Sequence, residues 1–215
     1  MARFHFRCSE CSQELDERPG LYVCPACSEK QTPGGVTRGV LEVVIENLPT
    51  IWPDARPGSP KFLTAFLPIA DPGCLPPLPV GDTPLFEAPM LRRALAMDHL
   101  FVKDDTRNPS GSTKDRASQL VVAKALESGA DTIATASTGN AATALAAVAA
   151  SAGLRAVVFV PAGAPPAKLV QMLSYGAELL PVAGSYDDAF ELSLAACERY
   201  GWVNRNTAYN PFTIE

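Results

Sequence analysis

The sequence predicts an α/β protein built on a parallel sheet and preceded by a small cysteine-rich module. From Leu100 onward, short apolar segments alternate with longer segments of helical pattern, and a glycine follows each of the longer ones. Strands that alternate with helices at this spacing are typical of βαβ units, whose strands run parallel. The module is indicated by two Cys-x2-Cys pairs within the first 34 residues.

The predicted elements of the α/β part follow one another without long interruptions. We expect strands at 100–103, 132–135, 156–160 and 178–182, and helices at 114–126, 140–151, 166–175 and 186–199. Each helix is predicted to end near a glycine, because glycine readily adopts the left-handed conformation that closes a helix.

The preceding segment, residues 37–80, has a different character. It contains nine prolines, which exclude long helices and central strands, and a single apolar run at 40–45. We therefore expect this segment to wrap around the next domain. The predicted organisation is a zinc-ribbon-like module at 1–34, the first part of a larger domain at 35–115, a small α/β domain at 116–204 and a return to the larger domain at 205–215.

Composition limits the classes of partner. The 215 residues are 47% hydrophobic and 19% charged, with a formal net charge of -5 and no basic stripe, so nucleic acid is not an expected partner. The first ten residues lack the apolar core of a signal peptide, and the apolar run at 141–152 is too short to span a bilayer. We expect no membrane partner and a cytoplasmic location.

The cysteines are unevenly distributed. Four of the six form the Cys-x2-Cys pairs, namely Cys8, Cys11, Cys24 and Cys27. Disulfides are disfavoured in a reducing compartment, so this spacing indicates metal ligation, with zinc as the natural occupant of four thiolates. Four protein ligands leave no open position, which makes the site structural; the alternative is a knuckle whose metal is lost or labile. Cys74 and Cys197 are expected to be inert packing residues.

A dense cluster of small and polar residues, Asn108-Pro-Ser-Gly-Ser-Thr-Lys-Asp-Arg116, lies between a predicted strand and a predicted helix. Lys114 would occupy the first helical position, where the helix dipole favours anions. One explanation is an amine that forms a Schiff base with a carbonyl cofactor. The residues alone also fit a polar loop in which Ser112 or Thr113 caps the helix and Lys114 is exposed.

A second cluster, Ser137-Thr-Gly-Asn-Ala141, again lies between a predicted strand and a predicted helix. Hydroxyl groups and free backbone N–H groups at a helix start can bind a carboxylate or a phosphate, although a plain helix cap has the same appearance. The chain contains neither GxGxxG nor GxxxxGK[ST], so the fingerprints of nucleotide binding are missing.

Together these clusters resemble the fold-type II pyridoxal-phosphate enzymes of the tryptophan synthase beta-like family, and the threonine synthases in particular. The first cluster is similar to their NPTGSFKDR segment, and Ser137–Asn140 to their STGN loop. Further similar segments, in chain order, are GDTPL at 81–85, FVKD at 101–104, the P…K…GA pattern at 161–177 and NPFTIE at 210–215. The resemblance implies the three-layer fold of that family with parallel sheets, and the paired Cys-x2-Cys motif occurs in one branch of threonine synthases.

The resemblance also implies roles for individual residues. Lys114 would bind pyridoxal 5′-phosphate (PLP) covalently and then act as general base and acid. Asn140 would hydrogen-bond the 3′-oxygen of the cofactor, and Ser137, Thr138 and Gly139 would hold the substrate carboxylate together with the Asn140 backbone. The implied reaction converts O-phosphohomoserine and water to threonine and phosphate, with the cofactor as electron sink.

Two departures from the family pattern affect these expectations. Thr213 stands near where some threonine synthases carry an arginine that meets the substrate phosphate, and Arg205 is the nearest candidate here. The chain also ends at Glu215, before the family's glycine-rich phosphate loop and the residue that faces the pyridine nitrogen. We therefore expect a poor enzyme in isolation, either a shortened product or half of a split enzyme, acting as a homo-oligomer or with a partner chain that supplies the carboxy-terminal half.

Alternatives remain open at this stage. Cysteate synthase, threonine dehydratase and diaminopropionate lyase share the implied chemistry, and the cysteine pairs favour threonine or cysteate synthase over the dehydratases. A different class of function is a non-catalytic binding module in which Lys114 stays a free amine. The intact lysine and STGN segments argue against that class.

Overall fold

The computed structural model describes residues 4–32, 35–50, 64–207 and 209–214. Its strands are β1 (Phe4–Cys8), β2 (Glu14–Leu15), β3 (Leu41–Ile45), β4 (Leu85–Glu87), β5 (Phe101–Lys103), β6 (Thr132–Ala136), β7 (Arg155–Pro161), β8 (Glu178–Val182) and β9 (Val203–Asn204). Its α-helices are α1 (Pro25–Ser28), α2 (Pro89–Leu95), α3 (Lys114–Glu127), α4 (Asn140–Ser151), α5 (Pro166–Ser174) and α6 (Tyr186–Tyr200). Single 3₁₀ turns span Thr64–Phe66, Pro72–Cys74, Asp105–Arg107 and Pro211–Thr213.

The main body is a four-stranded parallel sheet of order β8-β7-β6-β9, with helices on both faces. Side chains alternate along the two central strands. Ile133 and Val158 face the core shared with α3 and α4, whereas Ala134 and Val157 face the core beneath α6. Both faces are thus covered by helices, which is the arrangement that near-continuous apolar strands require. The α/β fold with a parallel sheet is confirmed.

The predicted helices and strands of this body are found within one or two residues of their expected ends. The helices at Asn140–Ser151 and Tyr186–Tyr200 begin where the pattern places them. Gly201 has a positive φ of 69° and closes the last helix. The start of that helix is fixed by a capping box, in which Ser185 and Asp188 exchange hydrogen bonds.

The amino-terminal sheet is antiparallel, of order β2-β1-β3. Strand β3 comes from the apolar run at 40–45, beyond the residue-34 boundary predicted for the module. It pairs with all five residues of β1, from Phe4 opposite Ile45 to Cys8 opposite Leu41. The rest of the proline-rich segment that is described contains only 3₁₀ turns. The prolines at 53, 57 and 60 lie outside the described residues, as do residues 1–3 and Glu215.

The module is attached to the α/β body around one buried lysine. The Lys124 ammonium pairs with Glu17 at 2.7 Å and with Glu127 at 2.5 Å, and it lies over the rings of Phe4 and Phe212. A buried ammonium requires such partners, because desolvation of an unpaired charge is costly. Apolar residues of the module and of α3 also pack in one continuous core.

Within the part of the chain that the structure describes, every helix is too short or too polar to cross a bilayer.

Candidate active site

The loop that precedes Lys114 is held by its own buried polar residues. Asp115 is fully buried, and its Oδ2 accepts hydrogen bonds from the Ser110 backbone N–H at 3.0 Å and from the Ser110 hydroxyl at 2.9 Å. Asn108 accepts from the Gly81 N–H and donates to the Asp105 carbonyl, both at 3.0 Å. Gly111 adopts a φ of 79°, which favours glycine at this point of the turn.

An ion pair braces the same loop from its outer side. The Arg116 guanidinium donates to both carboxylate oxygens of Asp105, at 3.1 and 2.8 Å, and the Thr83 hydroxyl donates to the same carboxylate at 2.6 Å. Hydrogen bonds from Arg116 and from Thr83 hold the pKa of Asp105 well below its usual range. Two segments that the sequence analysis singled out, 81–85 and 108–116, are joined here.

Lys114 itself is the first residue of α3 and is exposed. Its backbone N–H donates to the Ser112 hydroxyl at 3.2 Å. Among the described residues, the side-chain amine has no hydrogen-bond or ion-pair partner. The polar residues around it are thus used to build the loop, and the amine is left exposed, without a partner among the described residues.

The second loop, Ser137–Asn140, follows the carboxyl end of β6 and opens α4. The Gly139 N–H donates to the Ser137 hydroxyl at 3.2 Å, and no side chain caps the start of α4. Within the described residues, the first-turn N–H groups of this helix therefore remain available, as an anion site requires. Asn140 is exposed, and its Oδ1 accepts a hydrogen bond from the Lys168 ammonium at 2.8 Å.

The two loops lie on the same side of the sheet. Helix α3 leads into β6 and α4 leads out of it, so both helix starts lie at the carboxyl edge of that strand. Helix α5 connects them directly: Lys168 reaches Asn140, and the Gln171 amide donates to the Ser110 carbonyl at 3.5 Å. The clusters that the sequence suggested separately are brought together by α5.

A buried asparagine that the sequence analysis missed supports the second loop. The Asn206 Oδ1 accepts from the Ala136 N–H at 2.7 Å and from the Thr135 hydroxyl at 3.0 Å, and its Nδ2 donates to Ser193 at 2.8 Å. These bonds fix the end of β6 immediately before Ser137. The only signal in the sequence was the close spacing of three asparagines, at 204, 206 and 210.

Arg205 lies beneath the turn of α3 that follows Lys114. It is fully buried, and it donates to the Ser118 hydroxyl at 3.2 Å and to the Thr207 hydroxyl at 2.8 Å. Its Nη2 is buried and has no partner among the described residues. Burial lowers the pKa of this guanidinium to about 10. The structure therefore does not place Arg205 on the exposed surface that carries Lys114.

The four paired cysteines converge in the amino-terminal module. Their sulfur atoms all lie within 4.8 Å of one another, and Cys8–Cys27 and Cys11–Cys24 are each separated by 3.8 Å. Two thiolates bound to one tetrahedral zinc at about 2.3 Å would lie about 3.8 Å apart. Hydrogen bonding to the Cys11 thiol and burial raise the pKa of Cys27 to about 12. The donor set and spacing fit a zinc ion.

Comparison with known proteins identifies the family. Residues 77–215 match the sequence profile of the pyridoxal-phosphate dependent enzymes. The chain belongs to this family. The matched range contains the Lys114 loop, the Ser137–Asn140 loop and the parallel sheet.

Relatives within the pyridoxal-phosphate dependent enzymes include several threonine synthases. The chain is 32% identical to the threonine synthase of Methanosarcina acetivorans over 228 residues, covering 99% of this chain and 50% of that protein. It is 40% identical to the threonine synthase of Halalkalibacterium halodurans over 151 residues, covering 70% of this chain and 42% of that protein. The chain thus spans about half the length of the curated relatives it matches.

Solved structures of pyridoxal-phosphate enzymes share the fold. A pyridoxal 5′-phosphate-dependent aspartate racemase aligns with a TM-score of 0.54 at 27% identity, covering 61% of this chain and 42% of that chain. The diaminopropionate ammonia lyase of Escherichia coli aligns with a TM-score of 0.54 at 23% identity, covering 61% and 39%. These structural alignments agree with the α/β fold described above.

Proposed function

We propose that this protein is a PLP-dependent lyase of the threonine synthase type, which converts O-phosphohomoserine and water to threonine and phosphate. The observation that carries the proposal is the exposed amine of Lys114, which has no partner among the described residues and lies at the end of a loop whose other polar groups are engaged in holding it. The similarity to threonine synthases over nearly the whole chain supports the choice of substrate.

The residues present fit the cofactor. Lys114 offers a reactive amine, and the Asn140 amide can donate to the 3′-oxygen of PLP, because its own oxygen is already occupied by Lys168. The free N–H groups at the start of α4, with the hydroxyls of Ser137 and Thr138, fit a substrate carboxylate. When bound, PLP supplies an electron sink for the charge that develops on the substrate carbon.

The chain's own residues would then control the proton transfers. The Lys114 amine would remove and return protons at the substrate α- and β-carbons. Gly139, which has no side chain, lets the carboxylate approach the backbone of the loop. Arg205 is not assigned to the substrate phosphate, because its side chain is fully buried beneath α3.

Substrate specificity is tested by product analysis. With PLP present, the protein is given O-phosphohomoserine, phosphoserine or threonine, and the release of phosphate, threonine or ammonia is measured, with Lys114→Ala as control. Threonine and phosphate formed together from O-phosphohomoserine, and only with Lys114 intact, support the proposal. Faster turnover of phosphoserine would favour cysteate synthase, and ammonia released from threonine would favour a threonine dehydratase.

We also propose that Cys8, Cys11, Cys24 and Cys27 bind one structural zinc ion. The support is the tetrahedral spacing of the sulfur atoms and the burial of three of the four residues. Metal analysis of the purified protein is expected to give one zinc per chain, with near-complete loss in Cys24→Ser. The matched control is Cys74→Ser, which removes a thiol outside the cluster. Equal zinc in both variants would contradict the proposal.

We further propose the domain division of the sequence analysis, with the module carried on to β3, and a cytoplasmic location. The pairing of β1 with β3 supports the longer module. Limited proteolysis that releases a fragment ending after Ile45 would support this boundary, and cleavage between Cys27 and Leu41 with loss of β3 from the module would contradict it.

A further inference from the structure

We infer that Lys168 is a positioning residue that fixes the orientation of the Asn140 side chain toward the cofactor. The inference rests on the proposed function, which places the 3′-oxygen of PLP at Asn140.

The contact determines which end of the amide faces the site. An ammonium group carries only hydrogen-bond donors, so of the two polar ends of the Asn140 amide it can bind only the oxygen. The structure shows this bond at 2.8 Å, from Lys168 Nζ to Asn140 Oδ1. The NH₂ end is then directed away from Lys168, and among the described residues it has no acceptor. An NH₂ group held in this way matches an oxygen that only accepts, such as the ionised ring oxygen of PLP.

Lys168 is itself held in place. Its ammonium also donates to the Gln171 Oε1 at 3.2 Å, one turn further along α5. The Gln171 amide in turn reaches the Ser110 carbonyl in the lysine loop. The ammonium therefore lies between the two loops and is bound through neutral amide groups.

The charge of Lys168 is not neutralised by an acid. No carboxylate among the described residues forms an ion pair with it, whereas Lys124 has two such partners. An unneutralised ammonium polarises the Asn140 carbonyl and makes the NH₂ end a stronger donor. The orientation of the Asn140 amide and the donor strength of its NH₂ group would thus both favour a hydrogen bond to the cofactor oxygen.

The test is a double-mutant cycle on PLP affinity. The dissociation constant is measured by absorbance titration for the wild type, Lys168→Met, Asn140→Ala and the double variant. We expect Lys168→Met to weaken binding about tenfold, the size of one lost or misdirected hydrogen bond to a charged oxygen. In the Asn140→Ala background the same change should have almost no further effect, because the group through which Lys168 acts is gone.

Two further substitutions separate orientation from charge. Lys168→Arg keeps a donor-only cation and is expected to bind PLP nearly as the wild type does. Lys168→Glu offers only acceptors, would attract the NH₂ end and turn the amide oxygen toward the cofactor, and should weaken binding more than Lys168→Met. Lys30→Met is the matched control, since it removes an exposed lysine charge outside the site.

A readout without cofactor keeps the two proposals distinguishable. In ¹⁵N-asparagine-labelled protein without PLP, the Asn140 side-chain NH₂ signals should be shifted in the wild type and in Lys168→Arg by the cation bound to the amide oxygen, and should lie at the position of a solvated asparagine amide in Lys168→Met. Identical signals and affinities in wild type and Lys168→Met, or an equal affinity loss in the Asn140→Ala background, would overturn the inference. Absence of Lys114-dependent PLP binding would instead contradict the proposed function, while the NMR comparison would still decide the role of Lys168.

Discussion

The loops that precede α3 and α4 both open a helix at the carboxyl edge of β6, but different kinds of groups stabilise them. The Lys114 loop is braced by charged groups: the Asp115 carboxylate inside and the Asp105–Arg116 ion pair outside. The Ser137–Asn140 loop is braced by neutral amides and hydroxyls, with Asn206 beneath it, and Lys168 is the one cation in its described contacts. The proposed roles fit this difference. The loop that would carry the cofactor amine is held by charged groups, whereas the loop that would bind an anion keeps its first-turn N–H groups free.

Because different groups stabilise the two loops, a substitution should destabilise one loop and leave the other unchanged. The largest loss of stability is expected for Asn206. Asn206→Ala removes three buried hydrogen bonds and leaves the Ala136 N–H unpaired, so the free energy of unfolding should fall by about 3 to 4 kcal/mol. Denaturant unfolding measures the loss. Hydrogen exchange should rise at 137–143 and stay unchanged at 108–113. The smaller change Ser193→Ala removes one of the three bonds and should cost about 1 kcal/mol; equal costs for the two variants would contradict this account.

The next largest effect is expected at Asp115. Asp115→Ala leaves the Ser110 N–H and hydroxyl without their acceptor, which should lower the free energy of unfolding by about 2 to 3 kcal/mol. Here hydrogen exchange should rise at 108–113 and not at 137–143. Asp187→Ala serves as control, because Asp187 also lies in the first turn of a helix but is exposed. If both variants lose the same stability, the buried carboxylate does not brace the loop.

The smallest effect is expected at the partly exposed Asp105–Arg116 ion pair and depends on pH. The pKa of Asp105 is lowered in the folded protein, so its contribution to stability is present above the unfolded value of 3.8 and is lost as the pH falls below it. Near neutral pH, Asp105→Asn should cost about 0.5 to 1 kcal/mol, because the pair is partly exposed. The difference between wild type and variant should shrink below pH 3.8, and a difference that grows on acidification would contradict the assignment.

The sequence predicted the regular part of the fold well for physical reasons. Alternating apolar segments and glycine-terminated helices are local signals, and they placed α4 at 140–151 and β8 at 178–182 without error. The pairing of β3 with β1 joins residues more than 30 apart, and nothing in the run at 40–45 specifies its partner. A local pattern therefore predicted the elements but not the extent of the module.

The candidate site was predicted in part. The composition of 108–116 and 137–141 marked both loops, because hydroxyls, glycine and a lysine at a helix start do not serve a core. The supporting contacts were not predictable, since Asn206 and Lys168 reach the loops only through the fold. The same is true of Arg205, which the sequence suggested as a candidate for contact with the substrate phosphate and whose side chain is fully buried.

The central claim is that Lys114 carries the cofactor, and covalent trapping tests it most directly. The protein is incubated with PLP, reduced with borohydride, digested with trypsin and analysed by mass spectrometry. We predict a pyridoxyl group on Lys114, which also blocks tryptic cleavage there and leaves the peptide 108–116 whole. Labelling spread evenly over exposed lysines, or unchanged cofactor incorporation in Lys114→Ala, would contradict the account.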